Sequence, residues 1–189
     1  MHRPALLAAM QAFASIELMN AIYVACPISS GKRELDLMLE CSRFDREALR
    51  VDLASRWQSD VLEPNRAAAR AAVDYTRSRF PGRSVINPSE FDIDGLDQSG
   101  YDTLCDKIIR RHVTHIVLAD GWQYSRGARV EAVLAADLSL SLEDGAGNAL
   151  SWDDVLQKCD EAEASLRRSG FTEERVRDLL PRMRELASA

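Results

Sequence analysis

The run Gly121-Trp122-Gln123-Tyr124-Ser125-Arg126-Gly127-Ala128-Arg129-Val130-Glu131 is the first stretch of this 189-residue sequence with the makings of a site. Glycines at 121 and 127 let the backbone turn closely. A helix opens near Gly127, and the free amides of its first turn face the preceding loop, where Ser125 can donate to an anion. Glu131 falls early in that helix, on the face turned to the edge of a sheet. Spacing alone leaves two roles open for it, a buried partner of an arginine or a catalytic group. Trp122 is placed to cover an aromatic base, although a tryptophan is more often simply packed.

A second constellation is Tyr23 followed by Pro27-Ile28-Ser29-Ser30-Gly31-Lys32-Arg33. Loop amides, two hydroxyls and two cations at the end of a strand can cradle one phosphate, and the same residues can equally form a solvated turn. The Gly-x4-Gly-Lys-Ser/Thr spacing of a Walker loop is absent. Asp106 is the third candidate. If it shares a strand end with Glu131, the two carboxylates suit glycosidic cleavage, although a helical aspartate is usually exposed.

The elements that must position these residues can be read from period and punctuation. Apolar runs at 21–26, 84–87 and 115–119 read as three short buried strands. Helices are expected over 4–18, with Leu6, Leu7, Met10, Phe13 and Ala14 on one stripe, then from about 34, over 65–79, over 101–112 and from about 127. The charged stretch 43–63 reads as a broken helix closed by Pro64, and 89–99 as an acidic surface loop. Two more helices, 151–168 and 172–187, separate at Gly170, with Thr172 as an N-cap. Strands alternating with helices imply a parallel sheet, with ligands bound at its carboxyl edge. The expected organisation is an α/β domain over 1–150, interrupted at about 34–63, with a helical extension over 151–189.

Composition narrows the function. At 46% hydrophobic and 29% charged the chain is an ordinary globular protein, and its net charge of −6 argues against a broad grip on polymeric nucleic acid. Cys26, Cys41, Cys105 and Cys159 are too scattered for a zinc motif or a disulfide framework, so reduced thiols in a cytoplasmic protein are expected. His2, His112 and His115 lack metal-ligand spacing. No apolar run is long enough to span a bilayer.

The segments Ile22-Tyr23-Val24-Ala25-Cys26-Pro27, Asn87-Pro88, Asp106 and Gly121 to Glu131 together resemble the nucleoside 2-deoxyribosyltransferase-like superfamily. The resemblance covers roughly residues 21–30 and 65–140, and its Ser-x-Gly-Ala-x-x-Glu motif is the specific part. It implies a Rossmann-like (flavodoxin-like) parallel sheet, with Glu131 as the nucleophile at the anomeric carbon. The family's helix aspartate falls on Asp106 and its first-strand tyrosine on Tyr23. In the branch that cleaves nucleoside 5′-monophosphates, a serine six residues before the nucleophile contacts the phosphate, as Ser125 would, and a Pro-Ile-x-x-Gly-x-Arg loop wraps it. Cys26 departs from the usual glycine, and 34–63 is an insertion.

The resemblance therefore implies hydrolysis of a nucleotide N-glycosidic bond, with Glu131, Asp106 and Tyr23 catalytic and no metal or organic cofactor. Ser29, Ser30, Gly31, Arg33, Asn87, Trp122, Ser125 and Gly127 would bind the small-molecule nucleotide. Base exchange between nucleosides is the enzymatic alternative, and a non-catalytic nucleotide sensor is the other. A homo-oligomer is also implied, because sites in this superfamily are commonly completed across a subunit interface.

Overall fold

The computed structural model describes residues 3–14, 20–180 and 183. A four-stranded, all-parallel sheet in the order β2-β1-β3-β4 forms its centre. The strands are β1 (Ala21–Ala25), β2 (Val85–Ile86), β3 (Val113–Leu118) and β4 (Ser141–Asp144). Every residue of β1 is apolar and buried, as a strand covered on both faces requires. Tyr23 registers with Ile86 on one side and Ile116 on the other. From β1 the chain moves outward to β2, then returns past β1 to β3 and β4. The direction of winding thus reverses between β1 and β3, and ligands in such sheets bind beyond the carboxyl ends at that reversal.

Two helical layers cover the sheet, giving the α/β Rossmann-like architecture expected from the sequence. On one face Ala69 and Val73 of α5 (Glu63–Arg79) pack against Ile22, Val24, Cys26, Val117 and Ala119. The other face carries α6 (Gln98–His112), α7 (Arg126–Asp137) and α8 (Trp152–Arg168). Their Leu104, Ile108, Ala128, Ala132, Val155 and Cys159 meet Tyr23, Ala25, Ile116 and Leu118. The first helix, α1 (Arg3–Ala14), lays Leu6 and Met10 against this second layer, while Leu7 is 54% exposed and off the expected stripe. Its expected continuation to residue 18, and the side chains of Phe13 and Ala14, lie outside the described residues. Among the described residues no helix is long and apolar enough to cross a membrane.

Three readings of the sequence are corrected. The sheet has a fourth strand, β4, whose alternation Leu138-Ser139-Leu140-Ser141-Leu142 carries a period-two signal in a short polar stretch. Its Glu143 is buried in a two-toothed ion pair with Arg79, at 2.5 and 3.1 Å. Pro64 does not close a helix. The backbone stays helical from α4 (Ala54–Trp57) through a π turn (Gln58–Leu62) into α5, with Leu62 and Glu63 both right-handed. A proline inside a helix lacks the amide for its bond and crowds the carbonyl four residues back; the widened π turn relieves both. The last helix, α9, spans only Glu173–Leu179 because Leu180, which precedes Pro181, turns extended. The rest of the helix expected to residue 187 lies almost wholly outside the described residues.

The insertion and the C-terminal segment share a hydrophobic core. Leu35, Leu37 and Met38 of α2 (Lys32–Glu40), Leu49 of α3 (Arg46–Asp52) and Val61 pack with Leu166, Phe171, Val176, Leu179 and Leu180. Fully buried Arg129 ties this assembly to the sheet domain. It donates from Nε to the Gln123 carbonyl at 2.7 Å, from Nη1 to Glu163 of α8 at 2.9 Å and from Nη2 to the Cys159 carbonyl at 3.3 Å. Removing one partner of a buried ion pair strands the other. Arg129→Ala is therefore expected to lower stability by about 3–5 kcal/mol, read from the midpoint of urea denaturation.

Candidate active site

The loops after β1 and β3 meet where the winding reverses. The first is pinned by Asn65, a buried residue at the start of α5. Its Nδ2 donates to the carbonyls of Ile28 (2.9 Å) and Ser30 (2.8 Å), and its Oδ1 accepts from Arg33 at 2.8 Å. Gly31 is held at φ +94°, and a Cβ there would come within 2.7 Å of the Pro27 side chain, so only glycine fits this bend. Ser29 presents its carbonyl to Arg50 at 2.6 Å. Ser30 turns its hydroxyl across the gap to Ser125, with the two Oγ atoms 3.2 Å apart.

Ser125 is the N-cap of α7, accepting from the Ala128 amide at 3.5 Å. Gly127 is exposed in the first turn of α7, where an added Cβ would meet nothing within 4 Å. Glycine within a helix costs about 1 kcal/mol relative to alanine, and here neither packing nor φ requires it. The open space it leaves adjoins the first-turn amides. Two hydroxyls, a helix N-terminus and a bare backbone therefore converge between the loops.

Glu131 stands one turn further along α7. Tyr23, with no exposed surface, donates its hydroxyl to Glu131 Oε1 at 2.6 Å. Burial raises the Glu131 carboxyl to about 8; the hydrogen bond from Tyr23 pulls it down and the charge of Asp102 pushes it up further. Among the described residues no arginine or lysine pairs with Glu131; the buried arginine nearby, Arg129, is committed to Glu163. A partly buried carboxyl without a cation destabilises its own ionised form, which is a common condition of reactive groups. Burial, with the charges of Glu131 and Cys105, holds the Tyr23 phenol well above its usual range, so it remains a donor. Burial likewise raises the thiols of Cys26 and Cys105 to about 12, with Glu131 adding to both, and they stay protonated.

The remaining expectations divide. Asn87 follows β2 at the same sheet edge, 4% exposed. Its Oδ1 accepts from the Ser89 amide (3.0 Å) and hydroxyl (2.7 Å), leaving a buried Nδ2 donor without a partner. Asp106 is partly buried on α6 and pairs with Arg110 at 3.0 Å, and the charge felt at Glu131 is that of Asp102, one turn nearer the sheet's carboxyl edge and exposed. Trp122 is 3% exposed and packed in the main core, so it is not free to cover a base. Asn65, Asp102 and Cys105 were missed by the sequence reading. Asp102 shares a helix face with Asp106, and one turn of ambiguity is all that separates them. Among the described residues no three His, Cys, Asp or Glu side chains are grouped to hold a metal ion.

The raised carboxyl has a pH consequence. Because Glu131 binds its proton more tightly in the folded state, its contribution is fully present below about 4.5 and is lost as pH rises through about 8. Glu131→Gln keeps the shape and an acceptor for Tyr23 but cannot ionise. The variant is expected to match wild type near pH 4 and to be the more stable form at pH 8–9, by about 4 kcal/mol, as read by calorimetric melting.

Residues 60–144 match a family described as a domain of unknown function (DUF4406). That span is short of half the chain; it holds Asn87, Cys105, Ser125 and Glu131 but not Tyr23. No curated protein and no solved structure matches the chain.

Proposed function

We propose that the protein hydrolyses the N-glycosidic bond of a nucleoside 5′-monophosphate, releasing free base and a pentose 5-phosphate, with Glu131 as nucleophile. The observation that carries this reading is the isolated Glu131 carboxyl, oriented by Tyr23 and raised to about 8, at the sheet edge where two hydroxyls meet a helix N-terminus. Buried structural carboxylates are commonly paired with a cation; this one meets a phenol.

The 5′-phosphate is held by Ser30, Ser125 and the first-turn amides of α7 over Gly127, with Ser29, Gly31 and Arg33 shaping the loop around it. That grip fixes the pentose, so that binding energy far from the reacting carbon goes into placement. The ionised Glu131 carboxylate attacks the anomeric carbon as the carbon–nitrogen bond breaks, and the departing base keeps the electron pair and takes a proton. Water then opens the pentosyl ester and frees Glu131. Asp102 acts as the second carboxylate in place of Asp106, and the unpartnered Asn87 amide donates to the sugar or base.

The test is chromatography of a panel of ribo- and deoxynucleoside 5′-monophosphates incubated with wild type and Glu131→Ala. Wild type is expected to release one free base and the variant to lose at least about 10³-fold in rate, the scale of a lost covalent catalyst. Binding without base release from any member would replace this reading with a nucleotide sensor.

The pH dependence tests the assignments of neighbours. Activity of wild type is expected to rise with pH through about 8 as Glu131 ionises. Tyr23→Phe removes the hydrogen bond that lowers this value, so its profile shifts to higher pH. Asp102→Asn removes the charge that raises it, so its profile shifts to lower pH. Asp106→Asn is expected to leave the profile in place; a shift there as large as that of Asp102→Asn would return the role to Asp106.

A further inference from the structure

The insertion carries a group of charges that the proposed reaction does not use. Glu34, fully buried in α2, accepts from Arg46 Nε through one oxygen and from Arg50 Nη2 through the other, both at 2.9 Å. Arg50 Nη2 also reaches the Ser29 carbonyl, and its guanidinium lies 5.1 Å from the centre of the Trp57 ring. Two cations face one carboxylate, so the group keeps a net positive charge. It also keeps three buried N–H donors without partners: Arg46 Nη2, Arg50 Nε and Trp57 Nε1. Buried donors are nearly always satisfied in folded proteins, and three gathered around one ion pair call for an acceptor.

The missing acceptor has a definite chemistry. It must be anionic, to balance the second arginine, and it must offer several lone pairs to planar guanidinium donors, as a phosphate does. The buried donors lie behind arginine side chains that are 25% and 36% exposed, so an anion reaches them by entering from that exposed side. The group borders the Ser29–Arg33 loop through Arg50, one residue from the Ser30 hydroxyl that faces Ser125. The arginine group and the Ser30–Ser125 pair are thus joined through adjacent residues of one loop.

We propose that Arg46 and Arg50, braced by Glu34, form a second anion subsite, so that the protein binds a nucleoside 5′-diphosphate in preference to the monophosphate. The proposal rests on the glycosidase reading only for what happens to the sugar; the subsite itself is a matter of binding. It gives the insertion a chemical purpose, to extend the anion grip outward from the first loop.

Titration calorimetry tests it without turnover, using Glu131→Gln as the background. The probes are inorganic phosphate, pyrophosphate, and the 5′-mono- and diphosphates of adenosine, guanosine, cytidine, uridine and thymidine. Pyrophosphate is expected to bind at least tenfold more tightly than phosphate, and the preferred diphosphate at least tenfold more tightly than its monophosphate. Adding Arg46→Gln should abolish both preferences while leaving monophosphate affinity within about twofold. Equal affinities in the background protein, or preferences that survive Arg46→Gln, would overturn the subsite and leave the donors to ordinary hydration. If Arg46→Gln does not melt cooperatively, Arg46→Lys decides, since it keeps the charge beside Glu34 but loses the planar fork: reduced preferences support the subsite, and preferences that survive unchanged overturn it. Absence of base release from every nucleotide would defeat the glycosidase reading alone.

Discussion

The hydrogen bond from Tyr23 to Glu131 joins the middle of the central strand to the second turn of α7, across 108 residues of chain. It forms only if several larger structures are correct. Side chains alternate along β1, so Ile22 and Val24 face α5 while Tyr23 faces α7. A slip of one residue against β3 would turn the phenol to the wrong layer. The axial position of α7 is fixed by Ala128 and Ala132 on the sheet and by Arg129 on its far side. The parallel order of the strands, the packing of the helices and the buried arginine thus all act on one pair of oxygens. The bond also offsets part of the desolvation that burial imposes on the carboxyl, so Glu131 remains able to ionise near neutral pH.

Around this pair the structure separates rigid from adjustable parts by the kind of bond used. The sheet domain is held by apolar packing and backbone ladders. The loop after β1 is held by polar contacts from elsewhere: Asn65 on its carbonyls, Arg50 on Ser29, Ser125 on Ser30. Such a loop has a shape but few apolar contacts of its own. Its geometry depends on α5, which rests on the sheet, and on the insertion, which rests on the core shared with α8 and α9.

How much of this the sequence disclosed follows from where the information lies. β1, β3 and the helix bearing Glu131 were legible because apolar periodicity and the Gly-Ser-Gly punctuation are local signals. The carboxylate and its tyrosine were named from a motif, and their contact is observed. β4 was missed because a short strand at a sheet edge needs little apolar sequence. Pro64 misled because its usual effect was absorbed by a π turn, which no local rule announces. The choice between Asp102 and Asp106 depends on how far α6 advances along the sheet, a tertiary quantity. Trp122 was open to two readings, and packing selected one. Asn65 and the Arg46–Glu34–Arg50 group join segments distant in sequence or hidden in a charged stretch, where polar residues look like surface.

The shared core of insertion and extension imposes an order on biosynthesis. Residues 34–62 emerge from the ribosome early, yet the side chains that cover their apolar face, Leu166 through Leu180, are made more than a hundred residues later. Domains made vectorially fold as units once their contacts are present. Arg129 of α7 likewise waits for Glu163 of α8, so the Tyr23–Glu131 pair and the brace on the first loop are both completed late. A translation product truncated before α8 would therefore lack both the partner that fixes α7 and the apolar cover of the insertion.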